Sequence, residues 1–251
     1  MTHLFLRELR TDQRLFWRSR EAAFFTFLLP IVLLVLLGSA YGSSGEIDGV
    51  HAGTYLLAGL LGYGVVSTAF ASLAISLVIR RESGVLKRIR GTPLPTSVYL
   101  GALVASTLVI VALEVVAQLA VGRFVLDAGW PHEPASLALA LALGSLAFAA
   151  LGLALTGAIR SAEGSSAVVN AIYLPATLIS GVFFSVESLP RLLEALAGFL
   201  PLTYLLELIR DAFVDGGRFD ASAEAVIVLL AWGALGALVA VRMFRWEPRE
   251  A

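Results

Sequence analysis

The chain contains no cysteine and only one lysine, Lys87, in 251 residues. The first absence excludes a disulfide framework, a thiolate metal site and a cysteine nucleophile. The second bears on nucleotide chemistry. A phosphate-cradling loop of the form G-x-x-x-x-G-K-[ST] needs lysine directly after glycine, and Lys87 stands between Leu86 and Arg88. ATP hydrolysis by that route is therefore excluded. Charge is scarce as well, at 15% of residues against about 25% in an average globular protein. With a net charge of −1, the chain has no global basic excess that would suit a nucleic acid.

Histidine is also rare. His3, His51 and His132 all fall in the N-terminal segment or in connectors, outside the long apolar runs. Gly42-Ser43-Ser44-Gly45 resembles the G-x-S-G of a rhomboid-type protease, yet no apolar run holds a histidine to act as base. His132-Glu133 lacks the second histidine that a zinc protease carries four positions on. No catalytic residue and no metal site emerges, so the chain is expected not to be an enzyme by itself.

Apolar residues are abundant. Hydrophobic residues make up 58% of the chain, and its mean hydropathy is +0.86. Crossing about 30 Å of hydrocarbon takes roughly 20 apolar residues. Six stretches qualify, at about 22–41, 55–79, 98–122, 135–159, 164–186 and 223–241, the third interrupted only by Glu114. The expected fold is an all-α integral membrane protein, a single transmembrane domain over 1–251 with six spans. Residues 195–206 are uncharged for too short a distance to cross and contain Pro201, which suggests a re-entrant hairpin within 187–222.

Basic residues give the orientation. Fourteen of the eighteen lie in the N-terminal segment, in the 80–95 connector, at Arg160 and in the C-terminal segment; Arg123, Arg191, Arg210 and Arg218 occupy the other connectors. Both termini are thus expected on the cytoplasmic side of the plasma (inner) membrane. Gly38-Ser39-Ala40 looks like a signal-peptide cleavage site, but the charged region before the apolar run is long and the run itself is of span length, which favours a retained helix. Residues 1–21 place Leu4, Phe5, Leu9, Phe16 and Trp17 among arginines. This suits either a helix lying in the membrane interface or a plain positive-inside anchor.

Polar residues inside the spans are candidates for function. Glu114 and Gln118, four apart, share one helix face, and an intramembrane carboxylate is costly enough to mark either a functional site or a helix–helix bond. Asn170, Tyr173 and Thr177 share a face of the fifth span, beside Pro175, and suit either a substrate pathway or interhelical contacts. Gly62-Tyr63-Gly64 echoes a potassium-channel filter but is preceded by Leu60-Leu61, which favours close helix packing. An ATPase-independent secondary transporter or channel, with Glu114 as its ion site, remains the alternative reading.

Two segments carry a resemblance. One is "LISGVFFSVESLPRLLEALAGFLPLTYLLELIRDAF", 178–213, with Pro190, Pro201, Glu207 and Arg210. The other is "RRESGVLKRIRGTPLP", 80–95. Together they resemble the ATP-binding-cassette type-2 transporter permeases, most closely the drug and antibiotic exporter branch, with polysaccharide and lipid exporters as relatives. The resemblance implies a permease subunit that pairs with a second, identical or related permease. It also implies a separate cytoplasmic ATPase carrying ATP and Mg, and no cofactor on this chain. Besides bilayer lipid, the partners implied are these subunits. It makes residues 82–92 a coupling helix, with Arg80, Arg81, Glu82, Gly84, Lys87 and Arg88 communicating with the ATPase. Residues 187–222 would shape the exit on the outer face, and the cargo would be an amphiphile: a drug, an antibiotic, a lipid or a polysaccharide precursor.

Because the chain is free of cysteine, its topology can be tested directly. Cysteines placed at Ser43 and Gly217 are expected to react with an impermeant thiol reagent applied outside intact cells, and one at Ser83 is not. External labelling at Ser83 would overturn the six-span reading.

Overall fold

A computed structural model describes residues 1–41, 45–47, 49–214 and 222–247. Residues 42–44 of the G-x-S-G stretch, Ser43 and Gly217 as labelling sites, Arg218 and Arg249 lie outside the described residues. Helix dominates because hydrocarbon offers no water to backbone amides, so each span satisfies its own hydrogen bonds. Among the described residues the one strand pairing is a two-residue ladder, β1 (Glu46–Ile47) antiparallel to β2 (Val50–His51).

Helix α1 (Thr2–Arg18) has no buried residue. A break at Ser19 separates it from α2 (Arg20–Tyr41), and Trp17 stacks on Phe27 across the break with ring centroids 5.5 Å apart. The second span is one continuous rod over Ala52–Glu82. It comprises α3 (Ala52–Val65), a π-helical segment (Val66–Ser72) and α4 (Leu73–Glu82). This span runs to Glu82, past the expected limit at 79, because Arg81 and Arg80 find partners inside the protein. A short α5 (Val85–Arg90) leads into α6 (Thr96–Leu126), followed by α7 (Pro134–Thr156), α8 (Ala162–Ile179), α9 (Arg191–Ala197), α10 (Pro201–Asp211) and α11 (Ala223–Met243).

Five of these elements are long and apolar enough to cross a membrane by composition: Arg20–Ala40, Ala52–Glu82, Thr96–Leu126, Pro134–Thr156 and Ala223–Met243. Helix α8 is shorter than the expected 164–186, ending at Ile179, because Gly181 adopts a left-handed turn with φ of 89°. An uncharged run is not a continuous helix. Even so, α8 reaches from one end of the bundle to the other. Ile159, just before it, lies at the basic end, where its carbonyl accepts from Arg81. Gly181, just after it, lies at the far end, where its carbonyl accepts from Tyr55 and Arg210. Its 18 residues span about 27 Å at 1.5 Å per residue.

Helices α9 and α10 are bent by 79° at their junction. Val186, ahead of α9, sits beside Gly181, and Ala212, after α10, accepts from the Glu133 amide, so the pair enters and leaves at the same end. It is re-entrant. Pro190 caps α9, and Pro201 opens α10, where its missing N–H costs nothing. Arg210 lies over the Tyr55 ring at 4.0 Å and donates to Gly181 O, tying α10 to α3 and the end of α8. Glu207 faces outward.

Small residues set the helix approach, as they do where lipid competes for apolar contact. Gly236 and Gly233 of α11 sit against the α7 backbone, and Gly152 of α7 sits against the carbonyls of Ala69 and Phe70. The tightest approach is at Gly59, where a methyl group would lie 2.0 Å from Val182 O. Gly59→Ala is therefore expected to collapse the yield of folded protein and lower its melting temperature in detergent. At Gly198 the nearest atom to an added methyl is 3.5 Å away, so Gly198→Ala should melt close to wild type. Equal melting of the two variants would contradict this packing.

Candidate functional site

The 80–95 connector is not one cationic surface. Glu82 closes α4, and Gly84, left-handed at φ 72°, resets the chain direction before α5 begins at Val85. The expected helix over 82–92 is thus shorter, and Glu82 stands at the C-terminal end of the helix before it, not at the start of the connector helix. There its carboxylate accepts from Arg81 Nε at 2.8 Å. Arg81 is 1% exposed. Its two Nη atoms donate to Thr156 O and Ile159 O, each at 2.7 Å, so the guanidinium caps carbonyls left open at the end of α7. Arg80 is bound to Asp12 of α1 and donates to Tyr99 Oη at 3.4 Å. The groups left facing solvent are Lys87, Arg88 and Arg90, on a short helix rooted by buried Leu86.

Above this connector lies a cleft of about 750 Å³, lined by α1, α2, α3, the π segment, α4, α6 and α8. Asp12 and Arg80 border it at the basic end. Within the bundle it is bounded by Tyr63 and Tyr173, whose hydroxyls are 3.4 Å apart and whose rings lie 6.3 Å apart. Of the residues proposed for a pathway, Asn170 and Tyr173 line this cleft. Glu114, Gln118 and Thr177 are buried but are not part of its wall.

Glu114 sits one hydrogen bond behind that wall. Thr68 lines the cleft and donates to Glu114 Oε2 at 3.1 Å, while Gln118 Nε2 donates to Oε1 at 3.2 Å. Gly64 makes the room, since a methyl group there would fall 2.5 Å from Oε1. Thus the Gly62-Tyr63-Gly64 stretch stays helical, with Gly64 admitting a carboxylate and Tyr63 facing the cleft.

Several wall residues escaped the sequence reading: Ser67, Thr68, Ser72 and Ser76, with Tyr63 across from Tyr173. The trace was present as hydroxyl residues spaced five and then four apart in an apolar run. Thr68, Ser72 and Ser76, four apart, share an ordinary helical face, and the π winding of residues 66–72 brings Ser67 to it as well.

The profile of the ABC-2 type transporter family matches residues 3–214. The chain belongs to that family. It is similar to Nodulation protein J of Rhizobium leguminosarum bv. viciae, at 30% identity over 74% of this chain and 72% of the relative. It is also similar to the transport permease YvfS of Bacillus subtilis, at 25% over 73% of this chain and 75% of that protein. The inner membrane transport permease YadH of Escherichia coli K12 is 25% identical over 75% of each chain. This ABC-2 protein is therefore a multi-pass membrane subunit of an ABC transporter, a transport component whose family implies an ABC ATPase partner.

Arg81 generates a prediction. Arg81→Ala leaves two buried carbonyls without donors and is expected to cost about 1–3 kcal/mol for each lost partner, lowering the melting temperature of the purified protein. Arg81→Lys should restore little, since one ammonium cannot reproduce the planar fork that spans both carbonyls. Wild-type melting of Arg81→Ala would rule out the clamp.

Proposed function

We propose that the chain is the permease subunit of an ATP-driven exporter in the plasma (inner) membrane, with both termini cytoplasmic. Two permease chains, identical or related, act with a separate ATPase that holds ATP and Mg. The cargo is an amphiphile taken up from the cytoplasmic side. The observation that carries this reading is the polar-walled cleft, bordered at the basic end by Asp12–Arg80 and within the bundle by Tyr63–Tyr173. Such a hollow reaches the end where the ATPase would push and has the two tyrosines at its inner side. Helix α5, presenting Lys87, Arg88 and Arg90, is the element placed to receive that push. The re-entrant α9–α10 pair and Arg210 shape the exit.

A buried carboxyl one hydrogen bond from the cleft favours a second reading, an ATPase-independent transporter using Glu114 as an ion site. Reconstitution separates the two. The purified chain in liposomes should hydrolyse no ATP and carry no ion flux, and adding the ATPase subunit should produce ATP-dependent transport. Ion flux through the lone chain, abolished by Glu114→Gln, would establish the second reading instead. Joint replacement of Lys87, Arg88 and Arg90 by alanine should leave assembly near normal. The same replacement should reduce transport at least several-fold, because exposed charges contribute little to folding.

A further inference from the structure

Beyond Tyr173 lies a second hollow, of about 400 Å³. Its walls come from α7, α8, α11 and the tip of the α9–α10 pair, and Val66 and Phe70 of the π segment form one side. No charged residue lines it, and Tyr173 supplies its one hydroxyl. The π segment divides the two hollows. Val66 and Phe70 face the apolar groove, while Ser67, Thr68 and Ser72 face the polar cleft. Tyr173 lines both.

The chemistry of the cleft is uncharged. Its polar wall is made of hydroxyls and the Asn170 carboxamide; its two charged residues, Asp12 and Arg80, bind each other, and Glu114 lies behind Thr68. The Asn170 side chain makes no hydrogen bond to another described residue, which leaves a donor and an acceptor facing the cleft. Both hollows fall within the roughly 300–1,000 Å³ of small-molecule sites.

We propose that the cleft and the groove are two halves of one site for an amphiphile with an uncharged, hydrogen-bonding head and an aliphatic tail. The head lies against Asn170 and the π-segment hydroxyls, the tail lies along Phe148, Leu151 and Trp232, and Tyr173 marks the junction. The proposal rests on the cleft being the cargo site. The tail belongs to the cargo and not to a bilayer phospholipid, because a phospholipid carries its charged phosphate at the membrane surface. The polar neighbour of this groove is instead a neutral cleft inside the bundle. Lipid chains are as apolar as the groove, so moving a tail into it from the bilayer gains little. Selectivity therefore comes from the head, and the groove orients it.

Trp232 lines the groove and reports on it. The experiment uses the complex with its ATPase in nanodiscs, the chain carrying W17F, W130F and W246F so that Trp232 is its one remaining tryptophan, and the same complex with W232F as well supplies the background. The probes are dodecyl glucoside brominated on its tail and a trimethylammonium compound with the same tail. The glucoside is expected to quench Trp232 saturably, with competition by its unbrominated form. Asn170→Leu, remote from the tail, should raise the half-saturating concentration about tenfold, the order of one lost buried hydrogen bond. The cationic compound should not saturate. No saturable quenching, equal quenching by both heads, or indifference to Asn170→Leu would mean that the groove holds bilayer chains, and would overturn the proposal.

Two obstructions separate this idea from the one beneath it, both read as stimulation of ATP hydrolysis by dodecyl glucoside in complexes that still copurify. Ser72→Trp fills the cleft and Ala154→Phe fills the groove. Loss of stimulation in both supports the single site. Loss with Ser72→Trp alone overturns the two-part site while the cleft reading stands. Stimulation that survives Ser72→Trp removes the cleft reading itself.

Discussion

A span in hydrocarbon must satisfy its backbone polar groups from within the protein, and much of the architecture follows from that requirement. Hydroxyls on the spans turn back to carbonyls of their own helix, as Ser76 does to Leu73, Thr107 to Leu103 and Ser165 to Ala162. Where a helix ends inside the protein, a side chain from elsewhere completes it. Arg81 does this for α7, and Arg210 does it for the turn after α8. These two arginines are fixed parts of the scaffold although their residue type suggests contact with a partner. The same requirement explains how a carboxyl is tolerated at Glu114, between Thr68 and Gln118 with Gly64 opposite.

Fold class and family were legible from hydropathy, charge placement and two segments, because each is a property of long runs or of side-chain identity. The limits of α8 were not. An uncharged run to 186 says nothing of Gly181 turning left-handed after Ile179. In the connector, five basic residues in eleven read as one surface. Arg80 and Arg81 continue the α4 helix, however, and fold inward onto α1 and α7. Only the tertiary partners, Asp12 and the carbonyls of Thr156 and Ile159, reveal this, and they lie about 70 positions away in the chain.

The cleft was half legible. Asn170 and Tyr173 share a face at ordinary helical spacing and do meet there. On the opposite wall Thr68, Ser72 and Ser76 also keep ordinary four-residue spacing, and only Ser67 needs the π winding to join them. Glu114, the most conspicuous intramembrane residue in the sequence, is set back from the wall by one threonine.

The long second span has a mechanical character of its own. Near one end Tyr55 is pressed beneath Arg210, and near the other Arg81 is gripped by the carbonyls after and at the end of α7. A beam held at both ends yields where its section is weakest. In this rod the section changes at the seven-residue stretch of π winding, a departure from the α-helix on either side. That part of the beam is also the part that carries Thr68 and separates the two hollows. On the proposed function, load applied at either anchorage would reach that stretch, between the cleft and the groove.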